Sequence, residues 1–169
     1  MIEKKILSKI KSMQEALVWR ETVNKKGLKV VITNGCFDIL HRGHATYLIK
    51  ARKQGDLLLL ALNSDNSVKA VKGPNRPVNK EYDRAFIVAC LPFVDAVVIF
   101  DTPDCVELLS ILKPDIYVKG GDYNIDTINQ DERRLLDKMG CKIKLLSHVP
   151  GYSTTSTIEK TNNKHPINS

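Results

Sequence analysis

Several familiar devices are missing from this 169-residue chain, and each absence removes a class of function. No apolar run approaches the roughly 20 residues that span a bilayer. The run Leu57 to Leu62 is only six residues long. The opening MIEKKILSKIKSMQE sets a charge every few positions, which excludes an apolar signal core there and predicts a chain without a secretory leader. The four cysteines, Cys36, Cys90, Cys105 and Cys141, form no CxxC pair and no zinc spacing. Reduced thiols in a cytoplasmic protein are therefore expected. Neither a GxxxxGK[ST] loop nor a GxGxxG turn is present, so the two commonest glycine-rich phosphate cradles are excluded. Aromatic residues are scarce at 6%, and the basic residues are spread along the chain, which argues against a nucleic-acid interface.

What the chain does have is the balance of a globular protein, 43% hydrophobic and 27% charged residues. Its 26 Lys and Arg against 19 Asp and Glu give a net charge of +7, which favours an anionic partner without naming it. Residues 2–26 carry Ile6, Ile10, Met13 and Leu17 at helical steps, so one N-terminal packing helix closed by Gly27 is predicted. Beyond it, apolar runs alternate with amphipathic stretches. Strands are expected at 29–33, 56–62, 95–100, 115–118 and 142–146, and helices at 43–54, 81–91, 104–112 and 130–139. Continuous rather than alternating apolar strands imply burial on both faces. The predicted fold is α/β, a doubly wound parallel sheet of about five strands, with residues 1–27 as an extension, 28–160 as the domain and 161–169 as a frayed tail. Residues 63–80 read as a long polar loop.

In such a sheet, ligands bind beyond the carboxyl ends of the strands. That rule gathers 34–44, 63–80, 119–122 and 151–157 around one site. The sharpest signal is His41-Arg42-Gly43-His44 at a helix start, where unpaired amides and two imidazoles can receive phosphate oxygens and Gly43 permits close approach. A metal pair or two surface histidines remain alternatives, although no third ligand is evident. Cys36 is the one candidate for a nucleophile. No protein side chains present themselves as a metal site.

The segment Thr33-Asn34-Gly35-Cys36-Phe37-Asp38-Ile39-Leu40-His41-Arg42-Gly43-His44 resembles the opening signature of the HxGH nucleotidyltransferases, the cytidylyltransferase-like superfamily. Ser153-Thr154-Thr155 resembles the second signature of that superfamily. Three further segments, Asn63-Ser64-Asp65, Lys72 to Asn79 and Val118 to Tyr123, are similar to the adenylyltransferase half of the bifunctional heptose-phosphate kinase/adenylyltransferases. The resemblance implies transfer of a nucleotidyl group to a sugar 1-phosphate on the route to ADP-heptose. It implies ATP as donor, Mg²⁺ bridging triphosphate oxygens, a separate kinase and a homodimer, with no membrane or nucleic-acid partner. By the same resemblance His41, His44, Lys72 and Thr33 are catalytic. Asn34, Gly35, Phe37, Asp38, Gly43, Lys119, Gly120, Asp122, Ser153, Thr154 and Thr155 bind the nucleotide, and Asn63, Asp65 and Arg76 bind the acceptor. Arg84 resembles a recurrent family arginine or else pairs with a carboxylate. The alternatives are a CTP-dependent enzyme for glycerol 3-phosphate and a non-catalytic nucleotide-binding regulator. The glycerol branch places a Lys shortly after HxGH and an Arg before the second signature, where this chain has Thr46 and His148.

Overall fold

Strand chemistry sets the frame. The Val-, Leu- and Ile-rich runs form a six-stranded, wholly parallel sheet in the order β1-β4-β3-β2-β5-β6, here taken from a computed structural model. The structure describes residues 1–121, 123–147, 151–155, 157–158 and 161. The elements are α1 (Ile2–Leu7), β1 (Ile10–Lys11), α2 (Met13–Lys25), β2 (Val30–Gly35), α3 (Arg42–Arg52), β3 (Leu57–Asn63) and α4 (Asp65–Lys72). They continue with α5 (Glu81–Ala89), β4 (Ala96–Phe100), α6 (Val106–Leu112), β5 (Ile116–Gly120), α7 (Gln130–Lys138) and β6 (Lys142–Leu146).

Side chains alternate across the sheet, so two cores form, one on each face. Val30, Ile32, Leu59 and Tyr117 pack with Ala16 of α2, Leu108 and Leu109 of α6 and Leu136 of α7. Val31, Leu58, Leu60 and Val118 pack with Leu48 and Ala51 of α3 and with Ala85 and Val88 of α5. No described helix is long and apolar enough to cross a membrane.

Three details differ from expectation. The sheet has six strands rather than about five, and the single N-terminal helix is two helices around β1. Ile10 pairs with Val97 and Lys11 with Val98, so this short segment forms the sheet's edge. Ser12 then starts α2 with a capping box: its hydroxyl accepts the Glu15 amide, and its own amide donates to Glu15 Oε2 at 2.8 Å. The predicted 63–80 loop also contains α4, capped by the Ser64 side chain. The frayed-tail reading covers 161–169, of which Thr161 is described and helical, its hydroxyl donating to the Thr157 carbonyl; 162–169 lie outside the described residues, as does His148.

β2 and β5 are neighbours, and from that pair the chain order runs outward in opposite directions. Their carboxyl ends form the topological switch point, where a crevice opens.

Candidate active site

An open cavity of about 560 Å³ occupies that crevice. β2 delivers Asn34 and Gly35 to its floor, and the turn that follows delivers Cys36, Phe37, Asp38 and His41. Phe37 adopts φ 43°, and its ring packs so close to Gly35 that a Cβ there would lie 2.7 Å from Cε2. α3 then begins with His41 as N-cap, its Nδ1 accepting the His44 amide at 3.3 Å. With Nδ1 accepting, a neutral His41 carries its proton on Nε2. The His41 and His44 rings stack with centroids 3.8 Å apart, and Phe37 lies 5.1 Å from His44. Helical geometry leaves the first amides of α3 without carbonyl partners, so donors and a partial positive charge collect beside the two imidazoles.

Beside this turn the cavity is lined by Tyr152, Ser153, Thr154 and Thr155, with the Tyr152 ring 6.1 Å from that of His41. Residues 154–155 and 157–158 are helical, and the Thr157 amide donates to the Ser153 carbonyl at 3.0 Å. A Cβ on Gly43 would lie 2.8 Å from Tyr152 Cβ and 3.0 Å from the His41 ring. The absent side chain at Gly43 thus lets both signature segments meet. Lys72, at the end of α4, and Arg76 line a third side. Lys72 makes no hydrogen bond or ion pair among the described residues, whereas Arg76 binds Asp38 at 2.7 Å.

Residues 32–167 match the family model described as cytidylyltransferase-like. The chain belongs to the cytidylyltransferase-like family. It is therefore a nucleotidyltransferase by family. It is 46% identical over 153 residues to the bifunctional protein HldE of Syntrophotalea carbinolica, covering 90% of this chain and 31% of that protein. Against the bifunctional protein HldE of Campylobacter jejuni it is 48% identical over 156 residues, covering 92% and 32%. The chain thus spans about a third of the length of these curated relatives. A lipopolysaccharide core biosynthesis protein from Thermoplasma volcanium superposes with a TM-score of 0.60 at 29% identity, over 73% of this chain and 98% of that one. The fold alone is shared with a pantoate-beta-alanine ligase from Francisella tularensis, at 14% identity and a TM-score of 0.57, over 91% of this chain and 76% of that one.

Within the family frame, the expected site residues divide into groups. His41, His44, Gly43, Asn34, Gly35, Phe37, Lys72, Lys119, Gly120, Ser153, Thr154 and Thr155 all line the cavity. Asp122 lies outside the described residues. Thr33 is fully buried, with its hydroxyl 2.6 Å from that of Tyr47, and it does not line the cavity. Strand alternation turns it toward α3, so it supports the wall rather than reaching a phosphate. Burial pushes the Tyr47 phenol up to about 12 despite that bond, so Tyr47 stays neutral.

Asp65 also departs from the expected role. Its Oδ1 accepts from Arg84 at 2.9 Å, and it does not line the cavity. Arg84 is buried and donates as well to the carbonyls of Cys36 and Asn79, so it braces two loops and the start of α4 from behind the site. Asp38 lines the cavity, yet its carboxylate accepts from the Val78 and Asn79 amides and from Arg76. Burial pushes this carboxyl up, but those three donors outweigh it and hold the pKa below the ordinary aspartate value. Asp38 ties the loop after α4 to the HxGH turn. Asn63 lines the cavity and donates to Ser67 Oγ at 2.8 Å. Burial raises the Cys36 thiol, which disfavours the thiolate a nucleophile needs.

Residues that sequence reasoning missed include Tyr47, Tyr123, Asp104, Asn129 and Glu132, all lining the cavity. Glu132 carries no local signal, because a glutamate in the polar helix α7 reads as a solvated face. Among the described residues no group of three or more His, Cys, Asp or Glu could hold a metal ion.

Proposed function

We propose that this chain transfers an adenylyl group from ATP to a heptose 1-phosphate, releasing pyrophosphate and forming ADP-heptose for a lipopolysaccharide core. The observation that carries the reading is the convergence of stacked His41 and His44, the start of α3 and the Ser153–Thr155 segment on one cavity at the switch point. The similarity to proteins named bifunctional HldE and to a lipopolysaccharide core biosynthesis protein supports the acceptor class.

Charge explains how such a site works. A sugar 1-phosphate is largely dianionic at neutral pH, since its second pKa is about 6. It needs no general base. One of its oxygens attacks the α-phosphorus of ATP, the bond from that phosphorus to the bridging oxygen breaks, and pyrophosphate leaves with the electron pair. The difficulty lies in holding two anions together while charge moves onto the leaving group. Catalysis is thus positioning and electrostatic stabilisation, without a covalent enzyme intermediate.

In this reading His41 and His44 hold the α- and β-phosphates, and Thr154 and Thr155 receive the β- and γ-phosphates. Lys72, free of internal partners among the described residues, neutralises the reacting phosphates, while Gly120 and Tyr123 flank the nucleoside. A divalent cation such as Mg²⁺, bound with the triphosphate, would supply further neutralisation of phosphate charge, and no side chain of this chain is assigned to hold it. The acceptor requires an earlier kinase step, which we assign to a separate heptose-phosphate kinase, and the working form is a cytoplasmic homodimer.

A pyrophosphate-release panel tests the proposal, crossing ATP and CTP with heptose 1-phosphate, glycerol 3-phosphate and phosphoethanolamine. Turnover highest with ATP and heptose 1-phosphate is expected. A preference for CTP with glycerol 3-phosphate would overturn the substrate assignment. Nucleotide binding without turnover on any acceptor would favour a regulator.

A further inference from the structure

Part of the cavity lining has no role in the transfer as described. Asp104 follows β4, and Asn129 caps the start of α7; both line the cavity. β3 and β4 stand on the far side of β2 from β5, whose end carries Gly120. Two sets of bonds draw the β4 loop and α7 together. Glu132 Oε1 accepts the Cys105 amide at 3.0 Å, and Asn129 Oδ1 accepts the Asp131 and Glu132 amides at 2.9 and 3.1 Å. Asp104, the chain neighbour of Cys105, is thus brought to the start of α7. The Ser67 hydroxyl donates to the Thr102 carbonyl at 2.9 Å, which joins the same loop to α4, the helix that ends in Lys72.

Each of these two side chains is half used. Asp104 Oδ1 accepts the Val106 amide at 3.0 Å, and Asn129 Oδ1 is committed to the amides of α7. Those bonds orient both planar groups. They leave Asp104 Oδ2 and the Asn129 –NH₂ with no partner among the described residues, and neither atom is sealed from solvent. An acceptor and a donor on adjoining loops suit sugar hydroxyls, which can donate to one and accept from the other. A carboxylate without a bound cation repels phosphate, so this wall fits the uncharged, hydroxyl-rich part of a ligand.

We propose that Asp104 and Asn129 are specificity residues that hold the sugar hydroxyls of the acceptor, with its phosphate directed toward Lys72 and the histidines. The proposal rests on the nucleotidyl-transfer reading and deepens it by naming sugar contacts that Asp65, held by Arg84, does not supply. The competing occupant is the ribose of the nucleotide. The place of Asp104, across β2 from Gly120, favours the acceptor.

Steady-state kinetics on the full chain test it. Asp104→Asn keeps an oxygen for the Val106 amide, and Asn129→Ser keeps a helix cap, so each serves if the other fails to fold. Either change should raise KM for heptose 1-phosphate about 10-fold, while kcat and KM for ATP move less than about 2-fold, the pattern of lost substrate binding. A raised KM for ATP with that for the sugar phosphate unchanged would assign the pair to the ribose and overturn the proposal, as would no change in either. A second arm needs no turnover. With a non-hydrolysable ATP analogue bound, the ¹⁵N signals of the Asn129 side-chain NH₂ should shift on addition of heptose 1-phosphate and stay in place with inorganic phosphate. Signals that ignore the sugar phosphate would contradict the contact. Failure of the unaltered protein with every acceptor would instead overturn the transfer reading, and this proposal with it.

Discussion

His44 stands over His41 with 3.8 Å between ring centres, and its own amide donates back to His41 Nδ1. Two rings are thus held by one helical turn, and neither can swing away without disturbing the other. His44→Ala should lower turnover by about 10²-fold or more, as for loss of a charge-stabilising donor, with pyrophosphate release as the readout. Gly43→Ala attacks the same geometry without touching a donor. Its new Cβ would fall 2.8 Å from Tyr152 Cβ, so the Ser153–Thr155 wall must retreat. A fall in kcat/KM of about 10-fold or more is expected, since small misplacements of positioning groups are costly. The histidine pair and the Ser-Thr-Thr segment were legible because their chemistry is written in contiguous residues. Glu132 and Tyr47 were not, because only tertiary packing brings them to the cavity. Thr33 was misplaced for a simpler reason: alternation along β2 sends it to the α3 side, while Asn34 beside it faces the network of Tyr117, Lys119 and Glu132.

At the level of elements, the loop between α4 and α5 is anchored by one carboxylate. Asp38 accepts from Arg76 and from the Val78 and Asn79 amides, with its side chain almost wholly buried. Asp38→Asn should cost about 2–3 kcal/mol, because buried donors lose a charged acceptor. The pH dependence has a definite sign. The folded pKa lies below the ordinary value of 3.8, so the stabilisation is complete above that value and is lost as pH falls through the folded one. Urea unfolding of both proteins should show a gap at neutral pH that closes under acid. A gap constant down to strong acid would remove the carboxylate from this role. The core strands and helices were legible from apolar runs and helical spacing. The break at Ile10–Lys11 was not, because amphipathic spacing runs through it. The Ser12-x-x-Glu15 capping box was the local cue that α2 starts there.

Over the whole molecule, chain order and charge meet at one place. Reversal of the strand order between β2 and β5 opens the crevice, and each loop that fills it leaves the carboxyl end of a strand or leads into a helix N-terminus. Of the described carboxylates that line the cavity, Asp38 is paired with Arg76 and Glu132 with Lys119, while Asp104 accepts the Val106 amide; behind it Asp65 is paired with Arg84. That pairing leaves Lys72 and the start of α3 to receive negative charge. The central claim is that a nucleoside triphosphate lies with its phosphates on His41 and His44. A crystal structure of the protein with a non-hydrolysable ATP analogue measures this directly. The account predicts phosphate oxygens about 3 Å from the imidazole nitrogens, within hydrogen-bond range. Phosphates lodged instead in the lysine-lined groove of Lys29, Lys113 and Lys142 at the opposite end of the sheet would contradict it.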